Sequence, residues 1–311
     1  MIKYLTNEEI DRKKWDACIQ DAFNGMVYAC SWYLDIVAEG WEALIENDYE
    51  SVFPLVNGKK WGINYLFQPA FTQQLGIFSK NLLTEKVVED FLLAIPGKYK
   101  FAEINLNTFN KVDPEKFQID FWKNHELDLI KAYDGLFRSY STNLRRNVRK
   151  GIKSNLSVLK STRPEEIITL FRNNRGREIN VLSEEHYHQL QRISYTGIYK
   201  GLIQTYAVYT SENDLCAGAI FLKNKKKMIF LFSGLSSTGK EKGAMPYLID
   251  AFIKDHAQQH LTLDFEGSND PDLARFYKSF GSEECFYPHL KIDRMPGIIR
   301  LGVKLVKKMR K

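Results

Sequence analysis

The chain has 311 residues, with 44 Lys and Arg against 38 Asp and Glu, and a net charge of +6. This length indicates about two domains, and 44% hydrophobic with 26% charged residues excludes a disordered chain. The longest apolar runs, such as residues 228–232, fall far short of the ~20 residues that cross a bilayer. The first residues lack the apolar core of a signal peptide. We therefore expect a cytoplasmic protein.

The positive charge is concentrated in two segments. Residues 138–153 carry six basic residues and no acid, and residues 291–311 carry eight basic residues and one acid. The rest of the chain therefore has a net charge of −7. An acidic protein with two basic segments favours local binding of anions over a general coating of nucleic acid.

The cysteines and histidines lack the spacing of a disulfide or metal site. No Cys-x-x-Cys pair is present, and neither close histidine pair has a third ligand near it in the sequence. We expect buried thiols in a reducing compartment and no metal centre. The residues concerned are Cys18, Cys30, Cys216 and Cys285, and the pairs His186/His188 and His256/His260.

The first elements along the chain predict a hairpin, a helix and a strand. Residues 51–56 and 61–67 are apolar and flank Asn57-Gly58, a strong hairpin turn signal. Apolar residues at helical spacing predict a helix over 87–95. Residues 101–106 then form a short strand. The first half of the chain thus has the order ββαβ.

A basic helix follows a strand at residues 127–130. Ser141 or Thr142 can cap its start, and Leu144, Val148 and Ile152 would face a core. Like charges four residues apart on its other side destabilise it by a few tenths of a kcal/mol. An anionic ligand or a distant carboxylate would offset this, and an ordinary solvated face is the alternative. The cations concerned are Arg145, Arg146, Arg149 and Lys150.

The second half repeats the pattern of the first. Residues 217–222 and 228–232 form a hairpin around a polar turn, and a helix follows at residues 248–253. A short strand at residues 261–266 completes the order ββαβ. Two copies of one unit are the simplest explanation, and chance similarity between common elements is the alternative.

Two of these segments resemble the FemAB-like branch of the GNAT acyltransferases. One is the strand followed by a helix with Arg-Arg-x-x-Arg-Lys, in which Gly151 stands where Ala is usual. The other is Asp-Phe-Glu-Gly at residues 264–267, followed by Phe-Tyr-Lys-Ser-Phe-Gly at residues 276–281. The resemblance implies an α/β (α+β) fold of two tandem GNAT-like lobes, each a mixed twisted sheet flanked by helices. We place the lobes at residues 1–135 and 136–290, before a tail at residues 291–311.

Candidate catalytic residues lie in and after the last short strand. Alternation puts Thr262, Asp264 and Glu266 on one face, with the two carboxylates ~7 Å apart. The outer polar face of an edge strand would look the same. The resemblance assigns Asp264 and Glu266 to the pocket, and it implies that Tyr277 protonates the leaving group. A core tyrosine is the alternative for Tyr277.

The segment at residues 233–244 links a strand to a helix and is suited to an anion. We assign donor binding to Lys240, Lys242, Gly243 and Ala244. GNAT enzymes that bind coenzyme A usually have Arg/Gln-x-x-Gly-x-Gly/Ala here, whereas Met245 takes the place of the last small residue. This departure leaves the donor open between an acyl thioester of coenzyme A and an aminoacyl-tRNA, either one a co-substrate and not a resident cofactor.

The C-terminal residues 296–311 predict a basic amphipathic helix. Such a helix suits an anionic membrane surface, although a terminal helix packed on the protein has the same pattern. The apolar stripe is Ile298, Leu301, Gly302, Leu305, Val306 and Met309, and the basic flank is Lys304, Lys307, Lys308 and Lys311.

Together these features predict a FemAB-like N-acyltransferase with an acyl thioester as the favoured donor. Its acceptor would be a small-molecule or lipid-linked amine, and the protein would be cytoplasmic or peripheral at the inner face of the cell membrane. One alternative is an aminoacyl-tRNA-dependent peptidoglycan-precursor ligase, in which the basic helix would bind the tRNA. The other is a non-catalytic GNAT-like peripheral binding protein.

Overall fold

A computed structural model describes residues 1–179, 182–267, 269–295 and 297. These residues form two compact units: Met1–Phe121 together with the described residues from Tyr287 onward, and Trp122–Phe286. Compared with the expected boundary at residue 135, residues 122–135 belong to the second unit, and residues 287–290 belong to the first. The predicted helix over 296–311 lies outside the described residues, Gly297 excepted. In the part of the chain that is described, no helix is both long and apolar enough to cross a membrane.

The first unit contains two sheets, with strand orders β1-β2-β3-β6 and β4-β5-β7-β14. Its elements are β1 (Ile2–Leu5), α1 (Arg12–Asp21), α2 (Ser31–Val37), β2 (Glu42–Glu46), β3 (Ser51–Leu55), β4 (Asn57–Lys60), β5 (Ile63–Phe67), β6 (Phe78–Ser79), α3 (Glu85–Leu93) and β7 (Tyr99–Asn105), with short 3-10 helices at Asn7–Glu9 and Val27–Ala29. The last strand of the chain, β14 (Glu283–Asp293), begins in the second unit and pairs with β7 through residues 289–293.

The second unit contains a sheet with the strand order β8-β13-β12-β11-β10-β9. Its elements are β8 (Gln118–Asp128), α4 (Tyr133–Ser139), α5 (Thr142–Lys153), β9 (Ser157–Lys160), α6 (Pro164–Asn173), α7 (Arg175–Ile179), α8 (Glu184–Tyr199), β10 (Ile203–Tyr209), β11 (Leu215–Asn224), β12 (Lys227–Leu235), α9 (Ser237–Lys242), α10 (Ala244–His256), β13 (Thr262–Asp264) and α11 (Pro271–Lys278). The mixed α/β fold predicted from the sequence is confirmed.

Both units contain a ββαβ arrangement, but in the first unit its first strand is β4, whereas residues 51–55 of the predicted strand form β3, which pairs with β2 and β6 in the other sheet. An antiparallel hairpin, β4–β5 or β11–β12, leads into a helix, α3 or α10. The strand after the helix then runs parallel to the second hairpin strand, as β7 does beside β5 and β13 beside β12. On its other side this strand has an antiparallel neighbour, β14 for β7 and β8 for β13. The pairing pattern of the repeat is therefore the same in both units.

The first hairpin turns at a different place from the predicted one. Asn57 and Gly58 lie within β4, and the turn is at Trp61-Gly62, where both residues have positive φ (51° and 78°). Positive φ at both central residues is what a tight hairpin turn needs. A side chain on Gly58 would approach the ring of its cross-strand partner Tyr65 to 2.8 Å. Gly58 therefore makes room for that ring, and the prediction of a turn there was wrong.

Helix α5 starts as predicted but packs through a different residue. The Ser141 hydroxyl accepts a hydrogen bond from the Leu144 main chain, and Leu144 and Val148 are buried. Ile152, which we expected in the core, is 58% exposed, and Gly151 is buried in its place. A side chain on Gly151 would come within 2.8 Å of Tyr247 on α10. The missing side chain lets the two helices approach closely and rotates Ile152 toward solvent.

Helices cover both faces of the sheet in the second unit. On one face Phe221 of β11 stacks on Phe252 of α10, with ring centroids 3.8 Å apart. On the other face α6 packs against the strands, since a side chain on Gly218 would meet Ile167 at 2.7 Å. With both faces buried, the ends of the strands and the outer surfaces of the helices are where a ligand can reach the unit.

Candidate active site

The predicted catalytic segment leaves the sheet earlier than alternation suggested. Strand β13 ends at Asp264, and Glu266 has a left-handed backbone with φ of 52°. The prediction that Thr262, Asp264 and Glu266 share one face of a strand was therefore wrong. Glu266 lies instead in a turn that directly follows the strand.

Asp264 is a buried anchor of this turn. It is 2% exposed, and its Oδ1 accepts hydrogen bonds from the Glu266 main-chain N–H (2.9 Å) and the Asn124 side-chain amide (3.0 Å). Its Oδ2 lies 3.7 Å from the Lys227 ammonium group. Burial raises the pKa of Asp264, and Lys227 opposes that rise. Both oxygens of this carboxylate therefore contact protein groups.

Glu266 lies close enough to Tyr277 for its charge to act on the tyrosine. Glu266 is half-buried, and removal of its carboxyl group from water raises its pKa to about 8. The buried Tyr277 of α11 stacks on Phe265, with ring centroids 4.9 Å apart. The pKa of Tyr277 is raised by burial first and by the charge of Glu266 second. An acid and a base of unusual pKa in one place are typical of catalytic sites.

Strand β13 ends beside this pair, whereas its parallel neighbour β12 continues. Pairing of β12 with β13 stops at Ile229 and Asp264, whereas β12 runs on to Leu235 along β11. Phe230, the first residue past the pairing, lies 6.4 Å from the rings of both Phe265 and Tyr277. Ends of parallel strands of this kind are common ligand sites in α/β folds.

The residues that line an open surface cavity of about 920 Å³ belong to the basic helix α5. Within the described ranges, none of its cations forms an ion pair with a carboxylate, and Arg146 donates to the Asn143 side chain. Cations on one helix surface that no carboxylate compensates suit a ligand with several negative charges. We call this the α5 groove; it is lined by Thr142, Arg145, Arg146, Asn147, Arg149, Lys150 and Lys153.

The residues assigned to donor binding at the α9–α10 junction are divided. Gly243 is buried with φ of 73°, and a side chain there would lie 2.6 Å from the main-chain oxygen of Asn147 in the α5 groove. Ala244 is also buried. Lys240 is exposed. Lys242 lies near Cys216: burial raises the pKa of this thiol, and the charge of Lys242 opposes part of that rise. Neither lysine lines the groove, so the junction packs against α5 without adding these charges to it.

One cluster of acidic side chains has the spacing of metal ligands. Glu85, Glu89 and Asp113 in the first unit place carboxylate oxygens within 4.8 Å of one another. The ammonium group of Lys116 already lies among them, 2.8 Å from Glu89 and 3.7 Å from Asp113. Because a lysine occupies the position that a cation would take, this cluster reads as an ion-pair network.

Two residues of the candidate site were not predicted from the sequence. Asn124 of β8 is fully buried and bonds to the turn at Glu266. Gly267 packs so closely against β8 that a side chain would lie 1.9 Å from the Lys123 main-chain oxygen. Gly267 stood in the quoted Asp-Phe-Glu-Gly motif, so its importance could have been noticed. Nothing in the sequence around Asn124 marks it.

Comparisons with known proteins identify the fold. No protein-family model matches the chain, and no curated protein sequence matches it. Among solved structures, FemX matches with a TM-score of 0.63 and 14% identity, over 93% of this chain and 97% of that chain. The C-terminal domain assigned to lysylphosphatidylglycerol synthetase from Agrobacterium fabrum matches with a TM-score of 0.53 and 9% identity, over 94% and 95%. L-PGS from Bacillus licheniformis matches with a TM-score of 0.52 and 11% identity, over 96% of both chains.

At these identities the likeness concerns the fold, and it extends over nearly the whole length of each chain. The resemblance inferred from the basic helix and from the motif around Glu266 is thereby confirmed at the level of the fold. The chain has the FemX-like fold, in which a ββαβ arrangement occurs in each of two units.

Proposed function

We propose that the protein transfers an acyl or aminoacyl group from an activated donor to an amine, with Glu266 as the general base. The observation that carries this proposal is the half-buried carboxyl group of Glu266, whose pKa is raised to about 8 beside Tyr277. A base is most effective when its pKa is near the working pH. We place the donor where β13 ends next to this pair and β12 continues.

The proposed reaction uses both side chains. The acceptor arrives as an ammonium group, and ionised Glu266 takes one of its protons. The neutral amine then attacks the donor carbonyl, and the bond from that carbon to the leaving sulfur or oxygen breaks. Tyr277 gives its proton to the leaving group and takes back the second proton that the nitrogen loses as it becomes an amide, while Glu266 releases its proton to solvent. Each group thus returns to its starting state.

The α5 groove supports a polyanionic donor. Cations on successive turns of α5 face a cavity of about 920 Å³, which is large enough for a diphosphate with an attached nucleoside. An acyl thioester of coenzyme A is the first candidate. Its acyl arm would enter where β13 ends beside β12. Its phosphates would bind in the α5 groove.

An aminoacyl-tRNA is the second candidate donor. It is favoured by the fold shared with the protein assigned to lysylphosphatidylglycerol synthetase, whose name describes a lysyl group carried by a phospholipid. The α5 groove is also open, and its row of cations can contact several phosphates of a nucleic-acid backbone. A tRNA donor would make binding steeply dependent on salt.

The test is a transfer assay with both donor classes. Purified protein is incubated with labelled acyl-coenzyme A or labelled aminoacyl-tRNA and a panel of small and lipid-linked amines, with Glu266→Gln as the matched control. We expect transfer with one donor class and loss of about 100-fold or more in the variant. Absence of transfer and of binding with both donors would contradict the proposal. A biological activity that survives Glu266→Gln would favour a non-catalytic binding protein.

A further inference from the structure

We infer that Asn124 is a positioning residue for Glu266, which it holds in place through a closed ring of hydrogen bonds. This inference rests on the proposed function and deepens it, because it identifies the group that fixes the base. It also assigns Asp264 to the same task, in place of the catalytic role predicted from the sequence.

The ring uses both ends of the Asn124 side-chain amide. Its nitrogen donates to Asp264 Oδ1 (3.0 Å), and its oxygen accepts from the Gly267 main-chain N–H (2.6 Å). Asp264 Oδ1 in turn accepts from the main-chain N–H of Glu266 (2.9 Å). Asp264, two residues before Glu266, and Gly267, directly after it, are therefore both bound to one side chain on the neighbouring strand β8.

The backbone of Glu266 needs such support. A left-handed φ of 52° is unfavourable for a residue with a side chain. Gly267 allows β13 and β8 to stay close at this point, since any side chain there would collide with the Lys123 main chain. The turn is thus constrained by close packing on one side and by the amide of Asn124 on the other, which fixes the direction in which Glu266 leaves the backbone.

The chemistry of the ring requires an amide at position 124. A carboxylate there would accept from Gly267 but would face the carboxylate of Asp264 without a donor. Asn124 is 0% exposed, so a smaller side chain would leave the two sides of the turn unbonded in a buried place. Glu266 takes part in the ring through its main-chain N–H.

The test compares Asn124→Ala with a control that loses a buried hydrogen bond elsewhere in the same unit. Tyr133→Phe serves as the control, because it removes the hydroxyl that donates to the buried Asp250. The carboxyl groups of glutamate are labelled with ¹³C, the Glu266 signal is assigned by its absence in Glu266→Gln, and its pKa is read by NMR titration. Steady-state transfer is measured in parallel over a pH series.

We expect Asn124→Ala to lower kcat by about 10- to 100-fold with KM for the donor nearly unchanged. The pKa of Glu266 should fall from about 8 toward its ordinary value of 4.5, because the released turn lets water reach the carboxyl group. The ascending limb of the pH profile should move by the same amount. Tyr133→Phe should lower the melting temperature and leave both the pKa and the profile in place.

Two results would overturn the inference: an unchanged pKa of Glu266 in Asn124→Ala, or an equal change of pKa in the control. If the alanine variant does not fold, Asn124→Ser, which keeps a hydroxyl donor and acceptor, is measured against the same criteria. Failure of the proposed function is separate. A wild-type protein that transfers nothing would contradict the function, whereas the NMR titration would still decide whether Asn124 positions Glu266.

Discussion

Replacing Glu266 by Gln tests the burial of its carboxyl group as well as its role as a base. The pKa is raised from 4.5 to about 8 because folding removes the group from water. Below the lower value, the group is protonated in the folded and the unfolded chain and has no effect on stability. Between the two values, the unfolded chain releases the proton while the folded chain keeps it. The free energy of unfolding of the wild type therefore decreases as the pH rises through this window.

The size of the effect follows from the shift. One pKa unit corresponds to ~1.4 kcal/mol, so a rise from 4.5 to about 8 would amount to ~5 kcal/mol between about pH 5 and pH 9. Contact of the half-buried residue with water reduces this figure, and we expect about 2 to 4 kcal/mol. Gln is neutral at every pH and avoids the loss. The variant should therefore gain stability relative to the wild type as the pH rises, although its transfer activity is lost.

The assay is urea unfolding of the wild type and of Glu266→Gln at closely spaced pH values between about 5 and 9. Glu185→Gln, which changes an exposed glutamate on α8, is the matched control and should follow the wild type. Parallel stability curves for the wild type and Glu266→Gln would show that the carboxyl group is solvated in the folded protein. That result would refute the argument that places a base of raised pKa at this position.

Three further predictions concern other parts of the chain. Gly151→Ala should lower the melting temperature, because its new Cβ would lie 2.8 Å from Tyr247. Overpacking costs ~1 to 3 kcal/mol, which exceeds the ~1 kcal/mol that Ala gains over Gly in helix propensity. A more stable variant would contradict this close contact between the helices. The double variant Arg149→Glu with Lys150→Glu should weaken donor binding. It should also reduce the slope of the logarithm of the binding constant against the logarithm of the salt concentration by about 2. An unchanged slope would show that the donor does not bind in the α5 groove. Deletion of residues 296–311 should abolish cosedimentation with anionic liposomes, and no binding by the intact protein would exclude a membrane role for this segment.

Local signals were sufficient for most of the elements near the site. Ser141 before an amphipathic run located the start of α5, and its cations could be assigned to the outer surface from spacing alone. The repeat was found because hairpin, helix and strand recur in the same order, a property of each short segment. The role of Gly151 was not found in this way. It depends on Tyr247, about a hundred residues later in the chain, and local periodicity therefore favoured Ile152 as the buried residue.

The geometry of the candidate base could not be read from alternation. A strand was expected to continue to Glu266, but the hydrogen bonds that end it at Asp264 come from Asn124 on β8. These contacts join residues 140 or more positions apart, and no short-range pattern reports them. The motif indicated which acidic residues to consider, and only the fold shows that Asp264 is buried whereas Glu266 is half-buried.

The repeat also explains why the candidate site is found in the second unit. In the first unit, Asn105 is the last residue of β7 and stands where the repeat has Glu266, two residues after Glu103, which corresponds to Asp264. There the chain after β5 returns and closes the end of β7. Gln68 accepts from the Asn105 main chain, the Asn105 side chain donates to the main-chain oxygen of Gln73, and Leu75 forms a parallel bridge to Leu106. Asn105 is only 5% exposed as a result.

In the second unit β12 leads directly into α9, so the turn at Glu266 is held by Asn124 and stays half-buried. The same arrangement thus serves as a packed end in one unit and as the candidate acid–base site in the other.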